Sequence, residues 1–139
     1  MTLRELRTRI DTIEECYEFM LGYAARGLPG AEGSAGDEPM RRLLAQAAEA
    51  LSGLPDAYRA AIDEKDSGFQ PAGAYHDFLA VLERDAHDGL AAIRLVLAQP
   101  VLSSQLIDNL NASSHLRAFL TDLFLIDEIS PTKEPANGG

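Results

Sequence analysis

Residues 3 to 26, LRELRTRIDTIEECYEFMLGYAAR, are the stretch that determines the fold class of this 139-residue chain. Apolar side chains recur in it at alternating spacings of three and four residues, namely at Leu3, Leu6, Ile10, Ile13, Tyr17, Met20 and Ala24. At these spacings the side chains lie along one side of a helix, which is the pattern of a seam in a coiled coil or helical bundle. The stretch therefore predicts one long helix that needs partner helices to cover its apolar side.

The second predicted helix begins near Asp37 and contains a proline. Its apolar spacing continues on both sides of Ser52-Gly53-Leu54-Pro55, so we expect the chain to stay on the same side of the bundle. Because a proline ring removes one backbone hydrogen bond, we expect either a kink at Pro55 or a break into two helices there.

Two further apolar stripes predict a third and a fourth helix. The stripe of the third starts at Tyr75 and ends before Pro100, and the stripe of the fourth runs from Leu102 onward. Asn111-Ala112-Ser113-Ser114 interrupts the fourth stripe, and either serine could cap a separate helix. The fourth helix is therefore expected to be either bent or broken near Ser113.

Four apolar-striped helices joined by short or medium loops predict an all-α fold, a four-helix bundle in up-down-up-down order. In this interpretation residues 1–129 form a single domain, and residues 130–139, SPTKEPANGG, form a polar, flexible C-terminal tail. Residues 27–39, GLPGAEGSAGDEP, are expected to be a loop. The apolar run FLTDLFLIDEI, residues 119–129, either lies centrally or forms a subunit contact, and together with the first helix it favours a homodimer.

The charge and composition of the chain limit its partners. Its formal net charge is −10 and its pI is about 4.6, so neither nucleic acid nor an anionic membrane surface is expected as a partner. No apolar run approaches the length that crosses a bilayer, and the charged N-terminus does not resemble a signal peptide. Because Cys16 is the single cysteine, a reducing compartment fits, and a cytoplasmic location is predicted.

The stretch YHDFLAVLERDAHDG, residues 75–89, is the best candidate for a chemical site because it contains two of the three histidines. On a helix, Glu83 and His87 lie four residues apart and share one face beside the apolar stripe. His76 lies seven residues before Glu83 and does not join them. The aspartates of this stretch, at positions 77, 85 and 88, fall on other sides and are expected to face solvent.

Glu14 and Glu18 flank the stripe of the first helix at the same spacing. If the first and third helices face each other, four ligands could converge, and carboxylate and imidazole groups suit iron or manganese. The set is Glu14, Glu18, Glu83 and His87. It is similar in type to the ferritin-like di-metal carboxylate proteins, in which Glu-x-x-His pairs project into a bundle. Here the pair is one residue wider and occurs once per chain instead of twice. A symmetric dimer could double it, although nothing in the spacing requires that. A solvated or ion-paired helix face is the simpler interpretation.

The sequence supports two functional hypotheses. In the leading one, the chain is a noncatalytic accessory or assembly protein that acts through protein–protein contacts, as a homo-oligomer and without a cofactor. In the alternative, it is a carboxylate/histidine metal-binding protein that oxidises or stores iron or manganese. Cys16 is expected to be a buried apolar side chain rather than a redox thiol, because neighbouring glutamates would raise its pKa.

Overall fold

The computed structural model describes residues 3–25 and 37–129, and these residues form five α-helices and no strand. The helices are α1 Leu3–Ala25, α2 Asp37–Asp63, α3 Ala72–Leu97, α4 Ser104–Ala112 and α5 His115–Ile129. The all-α prediction is confirmed, whereas the described part of the chain contains five helices in place of the predicted four. The predicted tail and most of the predicted loop at 27–39 lie outside the described residues.

The additional helix arises at the predicted interruption near Ser113. α4 ends at Ala112, and Ser114 then adopts a φ of 65°, in the left-handed region that side chains other than glycine rarely occupy. The carbonyl of Ser114 accepts a hydrogen bond from the amide of Ala118 at 2.8 Å, which opens the first turn of α5. The fourth predicted helix is therefore broken rather than bent.

α2 is a single helix across Pro55, so the predicted break into two helices is wrong, and the kink stays a prediction. Leu54, Pro55 and Tyr58 are all buried. α2 contacts α1 and α3. Burial of this side keeps the chain helical although the proline ring costs one backbone hydrogen bond.

Gly53 lets an arginine of α1 lie across α2. The Arg9 guanidinium donates to the carbonyl oxygens of Glu49 and Ala50 at 3.2 and 3.4 Å. A Cβ atom at position 53 would lie 2.6 Å from Nη1 of Arg9. A glycine inside a helix costs about 1 kcal/mol relative to alanine, and here it makes room for this crossing.

The buried side of α1 follows the predicted seam over its first half and then turns. Leu6, Ile10, Ile13 and Met20 are buried as predicted, whereas Cys16 and Tyr23 are buried in place of Tyr17 and Ala24. The buried side rotates because the end of α1 packs beside the chain that precedes α4. Heptad spacing in the sequence carries no information about that neighbour. Near the end of α1, the Tyr23 phenol donates a hydrogen bond to the carbonyl of Leu102, just before α4.

The helices α1 and α3 contact the same three helices but do not contact each other. α1 contacts α2, α4 and α5, and α3 contacts the same three helices. Within the described residues, no Cα atom of α1 lies within 8 Å of one in α3. The buried apolar side chains form a continuous core between them. α1 and α3 therefore lie on opposite sides of that core.

Contacts between helix ends fix the direction of neighbouring helices. At one end of the molecule three pairs meet: Arg7 with Asp127 at 3.6 Å, the Tyr75 phenol with the Ile129 carbonyl at 3.1 Å, and His76 with Asp63 at 2.9 Å. The start of α1 thus lies at the end of α5, and the start of α3 lies at the ends of α2 and α5. These neighbours run in opposite directions.

At the other end, a polar clasp ties the start of α2 to the chain between α3 and α4. Oδ1 of Asp37 accepts a hydrogen bond from Nε of Arg41 at 2.8 Å, and Oδ2 accepts one from the amide of Leu102 at 3.2 Å. Arg41 also donates to the carbonyls of Leu97 and Gln99 at 3.3 and 2.8 Å. Carbonyls at a helix C-terminus lack intrahelical donors, so Arg41 satisfies acceptors that the helix leaves open.

Replacing Arg41 with alanine should lower the free energy of unfolding by about 2 kcal/mol, because it removes several charge-assisted hydrogen bonds at a half-buried position. Urea denaturation followed by circular dichroism measures this loss. The matched control is Arg42→Ala, since Arg42 is the adjacent arginine and is exposed. It should change stability by less than about 0.5 kcal/mol. Equal losses in the two variants would contradict the clasp.

Candidate functional site

The structure places the four predicted metal ligands in two separate grooves. Glu14 and Glu18 line a groove of about 320 Å³ between α1 and α5, and Glu83 and His87 line one of about 220 Å³ between α2 and α3. Because α1 and α3 do not come together, the two pairs do not meet within one chain. Among residues 3–25 and 37–129, no group of three or more histidine, cysteine or acidic side chains could hold a metal ion. A site completed across a dimer stays a prediction.

Glu83 is bound by an arginine rather than by His87. Nη2 of Arg59 donates to Oε2 of Glu83 across the α2–α3 interface, and Nη1 of Arg59 donates to Oδ1 of Asp56 at 2.8 Å. The side chain of His87 is 83% exposed, and its Nδ1 lies 3.7 Å from Oδ1 of Asp88. These contacts fit an ion-paired, solvated helix face, the simpler of the two interpretations of this stretch.

The groove between α1 and α5, called here the α1/α5 groove, combines acidic and apolar side chains. Its lining residues are Glu14, Tyr17, Glu18, Leu21, Arg117, Leu120, Thr121 and Phe124. Burial, followed by repulsion from Asp11 and Glu18, raises the pKa of Glu14, and Arg7 partly opposes this rise. The groove therefore offers apolar surface beside a crowded acidic edge, with Arg117 as its basic side chain.

A second apolar surface borders the other side of α5. This α3/α5 cleft has a volume of about 320 Å³ and is lined by Gln70, Pro71, Ala74, Tyr75, Phe78, Leu125, Ile126 and Ile129. The Tyr75 phenol is used within the fold, since it donates to the carbonyl of Ile129. The ring of Tyr75 meets Phe69 edge to face, with 5.0 Å between centroids. The lining is thus almost wholly apolar, and α5 has an apolar recess on each side.

A contact between two aspartates, Asp85 of α3 and Asp122 of α5, was not predicted. The expectation that Asp85 faces solvent is wrong, because its half-buried side chain shares a hydrogen bond with Asp122. Two ionised carboxylates in such a contact repel each other, so one of them keeps its proton up to a higher pH than an isolated aspartate does. Burial first, then the hydrogen bond to Asp85 and its repulsion, raises the pKa of Asp122 to about 7.

The surroundings of Asp122 explain why its charge is unfavourable. Its Oδ2 is enclosed and has no hydrogen-bond partner in the described part of the chain. Asp122 lies three residues after Phe119 and four before Ile126, and both of these side chains are buried. That spacing was a signal in the sequence that Asp122 borders the core, since residues three and four apart share one side of a helix.

Replacing Asp122 with asparagine should stabilise the chain by about 1 kcal/mol near pH 8, because an amide can donate to Asp85 without binding a proton. The pKa of Asp122 is raised in the folded state, from 3.8 to about 7. The stability that its proton provides is complete below about pH 4 and is lost as the pH rises through about 7.

The advantage of D122N should therefore shrink as the pH is lowered from about 8 toward about 4, as measured by urea denaturation at each pH. D108N is the control, since Asp108 is exposed on α4 and should show no such trend. A variant that is less stable than the native chain near pH 8, or an advantage that does not change with pH, would refute the shared proton.

Cys16 is fully buried in the core, as predicted. Burial, and to a smaller extent the charge of Glu15, raises the pKa of its thiol to about 12. The thiolate is the reactive form of cysteine. Reaction of Cys16 is therefore slowed both because burial blocks access of a reagent and because the raised pKa keeps the thiol protonated.

Cys16 should react with a thiol reagent near pH 8 at least about a hundredfold more slowly in the folded chain than in urea, because reaction requires opening of the core. Absorbance of the released thiolate measures both rates. The T8C variant provides an exposed comparison in the same helix, since Thr8 is exposed. Fast modification of Cys16 in the folded native chain would contradict its burial.

None of the described helices is long and apolar enough to cross a membrane. The chain matches no protein-family model, and comparison with curated proteins and with solved structures gave no match. A functional proposal for this chain therefore rests on its own residues.

Proposed function

We propose that this chain is a noncatalytic accessory or assembly protein that acts through protein–protein contacts, with the exposed side of α5 as its contact surface. The observation that carries the proposal is the concentration of exposed large apolar side chains at α5. Phe124, Leu125 and Ile129 are 51%, 54% and 60% exposed. Leu21, which is 41% exposed, lines the α1/α5 groove together with Phe124.

Because these apolar side chains are exposed to water, covering them in a complex would contribute favourable free energy to binding. Covering a large apolar side chain is worth about 1.5–3 kcal/mol relative to leaving it in water. A contiguous apolar patch on a folded domain is typical of an interaction site, whereas single exposed residues are ordinary. Phe124 lines the α1/α5 groove, and Leu125 and Ile129 line the α3/α5 cleft. Such recesses accept apolar anchors from a partner helix. Val81 and Leu95 of α3 are also exposed, but neither lines the groove or the cleft.

We further infer that the five helices form the predicted up-down-up-down four-helix bundle, with α4 and α5 together in the fourth position. The antiparallel ends and the two-residue connection at Ser113 and Ser114 support this arrangement. A cytoplasmic location suits a chain whose single cysteine is buried and reduced. The proposed function needs no cofactor. Within residues 3–25 and 37–129, no specific contact favours the iron or manganese alternative, since Glu83 already pairs with Arg59.

Site-specific crosslinking tests the contact surface. A photoreactive phenylalanine analogue at position 124, in cells that naturally make the protein, should give covalent protein adducts, because a partner lies against that side chain. The same analogue at position 95 is the matched control, since Leu95 is also a large exposed apolar residue but lies on α3. Gel mobility and mass spectrometry read out the adducts. Absence of adducts at 124, or equal yields at both positions, would contradict the proposed surface.

A further inference from the structure

Four exposed side chains lie along one stripe of α5. They are Arg117, Thr121, Phe124 and Glu128, at successive spacings of four, three and four residues. With about 100° of rotation per residue, these spacings keep all four within an arc of about 60°. The same spacing defines the seam along which two helices pack side by side. These four residues are called here the α5 seam.

The α5 seam is complementary to its own reversed copy. Arg117 and Glu128 stand at its ends, about 16 Å apart along the helix axis, and carry opposite charges. A two-fold axis midway between Thr121 and Phe124 would bring Arg117 against Glu128 of the partner subunit, and Glu128 against Arg117 of the partner subunit. The same operation brings Thr121 against Phe124 of the partner subunit. Self-complementarity of this kind is what a symmetric dimer contact requires.

We propose that a second copy of this chain covers the α5 seam, with the two α5 helices antiparallel and an Arg117–Glu128 pair at each end of the contact. This inference rests on the proposed function, because it names the partner of the Phe124 side of that surface. It also specifies the predicted homodimer by assigning its helix, its symmetry and its ion pairs.

The α1/α5 groove supplies the apolar centre of this contact. Thr121 and Phe124 line the groove together with Tyr17 and Leu21 of α1. Phe124 of the partner subunit lies opposite Thr121, so its ring is directed at this groove, whose volume of about 320 Å³ leaves room for it. Two-fold symmetry uses each groove once, so the contact closes at two copies and does not continue into a filament.

The charges of the groove make Arg117 essential to the contact. Glu14 and Glu18 line the same groove as Arg117, and each chain has a formal net charge of −10. Two copies therefore repel each other at long range, although salt at about 0.1 M screens this repulsion beyond about 10 Å. Arg117 provides the local attraction for Glu128 of the partner subunit, and a glutamate at position 117 would leave the charged lining of the groove wholly acidic.

Reciprocal charge reversal tests the inference in the full chain. R117E and E128R alone should each weaken the dimer about thirtyfold, because each sets like charges together at both ends of the contact. An equal mixture of the two variants should dimerise with about native affinity, since both ends then regain an Arg–Glu pair. Sedimentation equilibrium from about 1 µM to about 500 µM measures the dissociation constants.

Two further variants separate this contact from general effects of charge or folding. R84E reverses an exposed charge of α3, away from the seam, and should leave the dimer unchanged. F124S removes the apolar centre of the contact without changing its charge, and it should weaken the dimer. Because F124S reverses no charge, its result stands even where R117E or E128R disturbs folding. Thermal melting followed by circular dichroism verifies that each variant is folded.

The inference is overturned if the native chain stays monomeric throughout the concentration range, or if the R117E and E128R mixture associates no more tightly than either variant alone. These outcomes are distinguishable from failure of the proposed function. A monomeric native chain whose position 124 still crosslinks to a different protein refutes the second copy and supports the proposed function. A monomeric chain without adducts at position 124 refutes both.

Discussion

Burial of one side of α1 determines where the polar side chains of this protein can meet. Ile10, Ile13 and Met20 are enclosed in the core, and α1 contacts α2, α4 and α5 but not α3. The carboxylates beside the buried stripe of α1 therefore open toward α5. The side chain of Glu83 faces α2 and forms an ion pair with Arg59 of that helix. The separation of the four predicted ligands thus follows from helix packing, because side chains on opposite sides of a filled core cannot bind one ion.

The fold was predictable as far as it depends on local spacing. Apolar side chains three and four residues apart identify helices, and the polar run before His115 predicts the interruption between α4 and α5. The deviations come from neighbours in space. Pro55 stays inside a helix because its surroundings bury it, and Tyr23 replaces Ala24 in the core because its phenol reaches the carbonyl of Leu102. Tertiary packing overrides local preference at both places.

The candidate site was less predictable, because its chemistry depends on which helices are neighbours. The i, i+4 spacing places Glu83 and His87 in one groove, but it carries no information about Arg59, which lies 24 residues earlier and forms the ion pair. The contact between Asp85 and Asp122 crosses two helices in the same way. Only the position of Asp122 beside buried residues was visible in the sequence. The two residues of a contact between helices depend on tertiary packing. The residues that share one face of a helix can be predicted from the periodicity of the sequence.

Phe124, Leu125 and Ile129 of α5 stay more than half exposed after this packing, and we propose that a second copy of the chain covers the Phe124 side of α5. Amide NMR spectra of the isotope-labelled chain at low and high protein concentration test this most directly. We expect concentration-dependent shifts confined to α5 and to the α1 residues of the α1/α5 groove, around Tyr17 and Leu21, while amides near Glu83 and His87 stay unchanged. Shifts centred on Glu83 and His87, or spectra that do not change with concentration, would contradict a second copy bound along α5.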